Sequence, residues 1–173
     1  MTLPGDDLLL HAHLSSTRAI AVRATSTAVW PWVAQLGQGR DGFSSYDGLE
    51  NLVGCDVHSA DEILPDLPPP VVGGAFRFHP GVALTVAVVE AGRALVVTGG
   101  VPMGTAPALC ESTWAFILLD GPHGSTRLLT RERYLGLNPF ARVLLEPVAL
   151  ASFVMTERML RGIRDRAESR HAR

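Results

Sequence analysis

The sequence predicts an α+β domain in which a curved antiparallel sheet has its concave face covered by a long final helix. Three observations predict it. The middle of the chain runs at period two, in "GAFRFHP", "VALTVAVVE", "RALVVTG", "STWAFILLD" and "STRLLTRERYLGL". The last stretch, "PFARVLLEPVALASFVMTERMLRGIRDRAESR", switches to helical spacing. Finally, 173 residues that are 47% hydrophobic suit one sizeable core and are too few for two independent domains.

In chain order, "RAIAVRA" (18–24) reads as a short strand with Ile20 and Val22 on one side. Thr25, Ser26 and Thr27 offer oxygens to cap a helix over "AVWPWVAQLG", with Pro31 expected near its first turn and Gly37 and Gly39 ending it. A second short helix fits "YDGLENLVG", with Asp47 as cap, Glu50 in the capping-box position and Gly54 at the close. From Asp56 to Gly74 the prolines Pro65, Pro68, Pro69 and Pro70 make an extended connector. Two hairpins follow, one turning at Ala91-Gly92 and one at "GPHG". In the final helix Ala149, Phe153, Leu160 and Ile163 form the expected inward stripe, and Pro147 is expected to kink it. A sheet curled around a helix leaves interior space, so a pocket for a small molecule is expected.

Composition narrows the chemistry. A formal charge of −2 provides no positive field for nucleic acid or an anionic membrane surface. All basic side chains except histidine are arginine, which removes Schiff-base chemistry and the phosphate-loop lysine. Cys55 and Cys110 are too few for a disulfide framework and read as small buried hydrophobes. The start, "MTLPGDDLLLHAHLSS", lacks a basic leader, and "FARVLLEPVALASFVM" is interrupted by Glu146 and Pro147. The expectation is a cytoplasmic protein without stable membrane insertion. The loop "GQGRDG" follows a helix and lacks phosphate-cradle spacing, and no metal-ligand spacing occurs, so neither a cofactor nor a metal is expected. His11 and His13 share one side of an extended segment, but fraying near the terminus is the plainer expectation.

The segment "AVWPWVAQLGQGRDGFSSYDGLENLVGCDVHSAD" and the late "FVMTERMLRGIRDRAE", together with the order of elements, resemble the bacterial SRPBCC proteins. These form the START and birch-pollen-allergen-like superfamily often labelled polyketide cyclase or dehydrase. The likeness runs from Thr17 to Glu168 and implies a helix-grip fold, with about seven antiparallel strands wrapped on the C-terminal helix around a cavity for hydrophobic ligands. It divides the chain into an N-terminal extension, 1–16, and a single ligand-binding domain, 17–170. Where the subgroup carries Gly-Phe-Tyr-Ser-Tyr-Asp-Trp, this chain has Gly42-Phe43-Ser44-Ser45-Tyr46-Asp47-Gly48. Two rings are lost, which would widen the pocket mouth if they point inward and change nothing if they face solvent.

Candidate acid-base residues are His58, flanked by Asp56 and Asp61, with Tyr46, Arg131 and Tyr134. An arginine turned inward would require an acid such as Glu111 or Glu132 beside it and would bind a ligand carboxylate or enolate oxygen; turned outward, it would be solvated. Trp32, Phe43, Ser44, Gly48, Phe76, Phe78, Trp114, Phe116 and Phe153 are expected to line the cavity or build its wall. The resulting expectation is a hydrophobic small-molecule binder; the alternative is a cyclase or dehydratase using the same space. The sequence assigns no oligomeric state.

Overall fold

A computed structural model describes residues 2–37, 63, 67–79, 82–102 and 108–171, without the side chains of 77–79, 82, 83, 101, 102, 148, 151 and 171. Its elements are β1 (Leu14–Val22), α1 (Ser26–Ala34), β2 (Ala75–His79), β3 (Val82–Glu90), β4 (Ala94–Pro102), β5 (Ala108–Asp120), β6 (Thr126–Gly136) and α2 (Pro139–His171). The strands form one antiparallel sheet in the order β1-β6-β5-β4-β3-β2. Six strands are present among the described residues, against about seven implied by the resemblance. The second short helix expected over "YDGLENLVG" lies outside the described residues.

Hairpin chemistry sets the register. Gly92, at φ +76°, turns β3 into β4, and a single 3₁₀ turn at Pro122–Gly124 joins β5 to β6. Alternation then sorts the side chains. Ile20, Leu128, Leu118, Phe116, Leu95, Val97, Val86 and Leu84 belong to one buried cluster with Leu160 and Ile163 of α2. A bulge between Val86 and Val88 shifts the register once, placing Val88 beside Val96 with the opposite cluster. In β2 the register shifts between Arg77 and His79.

Helix α1 starts at Ser26 with Thr25 as its cap residue, but no cap side chain bonds the backbone. The Thr25 and Thr27 hydroxyls bond each other at 2.8 Å instead. Pro31 therefore falls in the second turn, not the first as expected, where the short helix forgoes one backbone bond while burying Val29, Trp32 and Val33. The chain leaves α1 through Gly37 at φ +67°, where a Cβ would lie 2.5 Å from the Phe76 ring, so only glycine fits.

Helix α2 opens as the sequence dictates. Asn138 accepts from the Ala141 N–H at 2.7 Å, and Pro139 occupies the first helical position. Its two halves, Pro139–Pro147 and Ser152–Arg170, meet at 45°, the bend expected at Pro147. No single helix among the described residues is long and apolar enough to cross a membrane. The inward stripe differs from the expected one: Ala141, Leu145, Thr156, Leu160, Ile163 and Ala167 are buried. Phe153 is 47% exposed, and Phe140, Val143, Leu150 and Val154 are also exposed. The inward stripe passes through the hydroxyl residues Ser152 and Thr156, four apart, and not through Phe153, so an apolar pattern alone points to the wrong face there.

The outer face of the sheet is covered as well. Leu3 packs on Ala94, Val96, Ala115, Ile117 and Leu129, and Gly5, at φ +85°, lets the strap approach so closely that a Cβ would meet Val96 at 2.6 Å. Asp6 anchors this strap through Arg131 Nη1 at 2.6 Å and Arg133 Nη1 at 3.1 Å. Rather than fraying, the following residues add to the sheet edge: the His13 N–H donates to Tyr134 O, His13 Nδ1 accepts from the Gly136 N–H, and β1 begins at Leu14, ahead of residue 17. His11 is exposed.

Burial alone would raise the Asp6 carboxyl, but the Leu3 N–H bond and the Arg131 and Arg133 guanidiniums hold it below its ordinary value of 3.8. A depressed carboxylate contributes stability above that value and loses it as pH falls below it. Asp6→Asn is therefore expected to cost about 1–2 kcal/mol by urea unfolding at neutral pH. Its deficit relative to wild type should shrink steadily below 3.8. A deficit that stays constant down to strongly acidic pH would contradict the ion-pair account.

Candidate functional site

Among the described residues, the largely apolar inner face of the sheet carries a group of polar side chains on β6. In β6, Thr130, Glu132 and Tyr134 fall on the same side as Leu128, and all are buried. Across the strand pairs Arg18 faces Thr130, Ser16 faces Glu132 and Leu14 faces Tyr134. On the other side Phe116 faces Thr130 and Trp114 faces Glu132. One row across the sheet is thus Arg18, Thr130, Phe116 and Leu95.

Glu132 is 1% exposed and its carboxylate is surrounded by donors. Oε1 accepts from Arg18 Nη1 at 3.1 Å and from the Thr156 hydroxyl at 2.6 Å. Oε2 accepts from the Ser152 hydroxyl at 2.6 Å and from the Tyr134 hydroxyl at 3.0 Å. Ser152 and Thr156 lie four residues apart on α2, one turn along the same face, so the cluster joins β1, β6 and α2. These four donors engage both carboxylate oxygens and leave little of either open to a substrate. Burial first, and then the adjacent Glu132 charge, push the Tyr134 hydroxyl well above its usual value, so it remains a donor.

Arg18 has a 9% exposed side chain, and its guanidinium lies 4.6 Å from the centroid of the Phe153 ring. Its Nη1 is engaged by Glu132, whereas Nε is buried with no hydrogen-bond partner among the described residues, and the buried hydroxyl of Thr130 directly opposite has none among them either. Trp114 and Phe116 stack beside this row with centroids 4.8 Å apart.

The expected site residues divide three ways. Tyr134 belongs to the cluster, Trp32 and Phe116 are buried in the inner core with Phe76, and Trp114 and Phe153 flank the charged pair. Arg131 does not turn inward: it lies on the outer face, bonded to Asp6 and to Thr17 Oγ1, because odd-numbered β6 residues face the strap. Nor is it solvated, since the strap covers it. Glu111 is exposed, so Glu132 is the acid of the inner face, and its arginine is Arg18. His58, Tyr46, Phe43, Ser44 and Gly48 lie outside the described residues, and nothing is described of the Phe78 side chain.

No family model and no curated protein matches the chain. Solved structures do. A hypothetical protein of Helicobacter pylori superposes with a TM-score of 0.61 at 16% identity, over 96% of this chain and 95% of that one. A Nitrosospira multiformis protein gives 0.56 at 12% identity, over 92% and 100%. Norcoclaurine synthase of Thalictrum flavum, a point mutant in complex with a transition-state analogue, gives 0.55 at 11% identity, over 91% and 96%. The chain has the helix-grip fold: one curved antiparallel sheet against a long final helix.

Within the helix grip, the Arg18–Glu132 pair occupies the surface that the sheet turns toward its long helix. Arg18, Ser152, Thr156 and Thr130 were not among the sequence candidates. One signal was present: Arg18 shares the parity of Ile20 and Val22, the apolar side of its strand. Ser152 and Thr156 left no comparable trace, because hydroxyls on an apolar helix read as tolerated substitutions until their acceptor is known.

Proposed function

We propose that this is a cytoplasmic protein that binds a hydrophobic small molecule, lipid-like, polyketide or another cyclic metabolite, between the inner sheet face and α2. The observation that supports it is the buried Arg18–Glu132 pair set among Trp114, Phe116 and Phe153. A buried ion pair adds little stability over an apolar replacement of the same volume. Polar groups placed sparingly in an apolar surround are the usual means of orienting a ligand. A cyclase or dehydratase reaction in the same space would have to take its proton carrier from His58 or Tyr46, since Glu132 is saturated and Tyr134 holds its proton.

The test uses N-phenyl-1-naphthylamine, an uncharged apolar probe whose fluorescence rises on leaving water. Saturable binding with one probe per chain is expected, competed by other apolar ring compounds. A linear, non-saturating rise would overturn the proposal.

A further inference from the structure

Resting on that binding proposal, we infer that Arg18 and Thr130 form a docking point for one neutral carbonyl oxygen on an otherwise apolar ligand. Arg18 Nε–H and the Thr130 hydroxyl are both buried without a hydrogen-bond partner among the described residues, and they sit directly opposite each other on adjacent strands. Opposed side chains in an antiparallel pair begin about 5 Å apart at Cβ, close enough for both to reach one oxygen. Buried donors left unmet are costly, so a binding partner is the economical explanation.

The chemical class follows from the inventory of donors and charges. A guanidinium only donates, so the ligand atom must accept; a carbonyl oxygen has two lone pairs, one for Nε–H and one for the threonine O–H. Charge selects against a carboxylate. Glu132 already neutralises Arg18 at 3.1 Å, and an added negative charge would enter a buried, neutral cluster with no counterion of its own. Glu132, bonded to two hydroxyls of α2, thereby fixes the guanidinium, making it a positioning residue for Arg18 and not a contact for the ligand. The remaining surface offered to the ligand is aromatic: Trp114 beside the row and Phe153 over the guanidinium.

The test compares three ring compounds of one shape as competitors of N-phenyl-1-naphthylamine: 2-acetylnaphthalene, 2-ethylnaphthalene and 2-naphthoate. The proteins are wild type, Thr130→Val, and the double variant Arg18→Met with Glu132→Leu, which removes the pair without stranding either charge. In wild type the ketone should be favoured over the hydrocarbon, and that preference should fall about 10-fold or more in the double variant and by less in Thr130→Val. Binding of the hydrocarbon should persist in all three. If hydrocarbon and ketone bind but their ratio is the same in every protein, water satisfies these atoms and the docking point is wrong while the binding proposal stands. If 2-naphthoate competes best, the assignment to a neutral carbonyl is overturned. If no compound displaces the probe from wild type, the binding proposal itself fails and this inference with it.

Discussion

Glu132→Ala is expected to destabilise the protein by about 3–5 kcal/mol, measured as a lowered urea midpoint. The loss has two sources. Arg18, with a 9% exposed side chain, would keep its charge in the interior with no partner. The Tyr134 and Thr156 hydroxyls, both on buried residues, would lose their acceptor together with Ser152. Thr156 and Ser152 can turn back toward the helix carbonyl four residues earlier, but Tyr134 has no such refuge. The double variant Arg18→Met with Glu132→Leu should recover about 2 kcal/mol of that loss, because it removes the stranded charge and keeps the volume while the Tyr134 hydroxyl still lacks its acceptor. Equal losses in the single and double variants would mean that the ion pair is not what the single variant breaks.

Phe116→Ala should cost about 3–5 kcal/mol by the same measurement. Phe116 is fully buried between Leu95 and Thr130 in its row, and its ring tilts against Trp114. Truncation removes the transfer free energy of the ring and leaves a void that strands on both sides, held by continuous backbone ladders, cannot close. Trp114, only half-buried, is the neighbour most able to shift into that void, so the double truncation of both rings should be less than additive. A loss below about 1 kcal/mol for Phe116→Ala would show that the inner face is loosely filled there.

The hairpins and the final helix were legible because their signals are local. Turn glycines, period-two alternation and helical spacing each act within a few residues, and β3, β4, β5, β6 and α2 follow them closely. Two parts were not. The charged cluster assembles Arg18, Glu132 and Thr156 from points separated by 114 and 24 residues, so no spacing rule within one element can announce it. The strap carries no local signal of its place, and residues 1–16 read simply as an N-terminal extension. Its order comes instead from pairing Asp6 with arginines more than a hundred residues later. Arg131 stays open between the two faces in the sequence for the same reason: the parity of β6 is visible there, but which parity turns inward depends on where the strap and α2 come to rest.

Because the leading residues form a lining and not a tail, the molecule cannot be shortened from that end without injury. A version trimmed to begin at residue 17 would give up the first rungs of β1 and uncover Ala94, Val96, Ala115 and Ile117. Such a greasy, uncovered patch invites self-association.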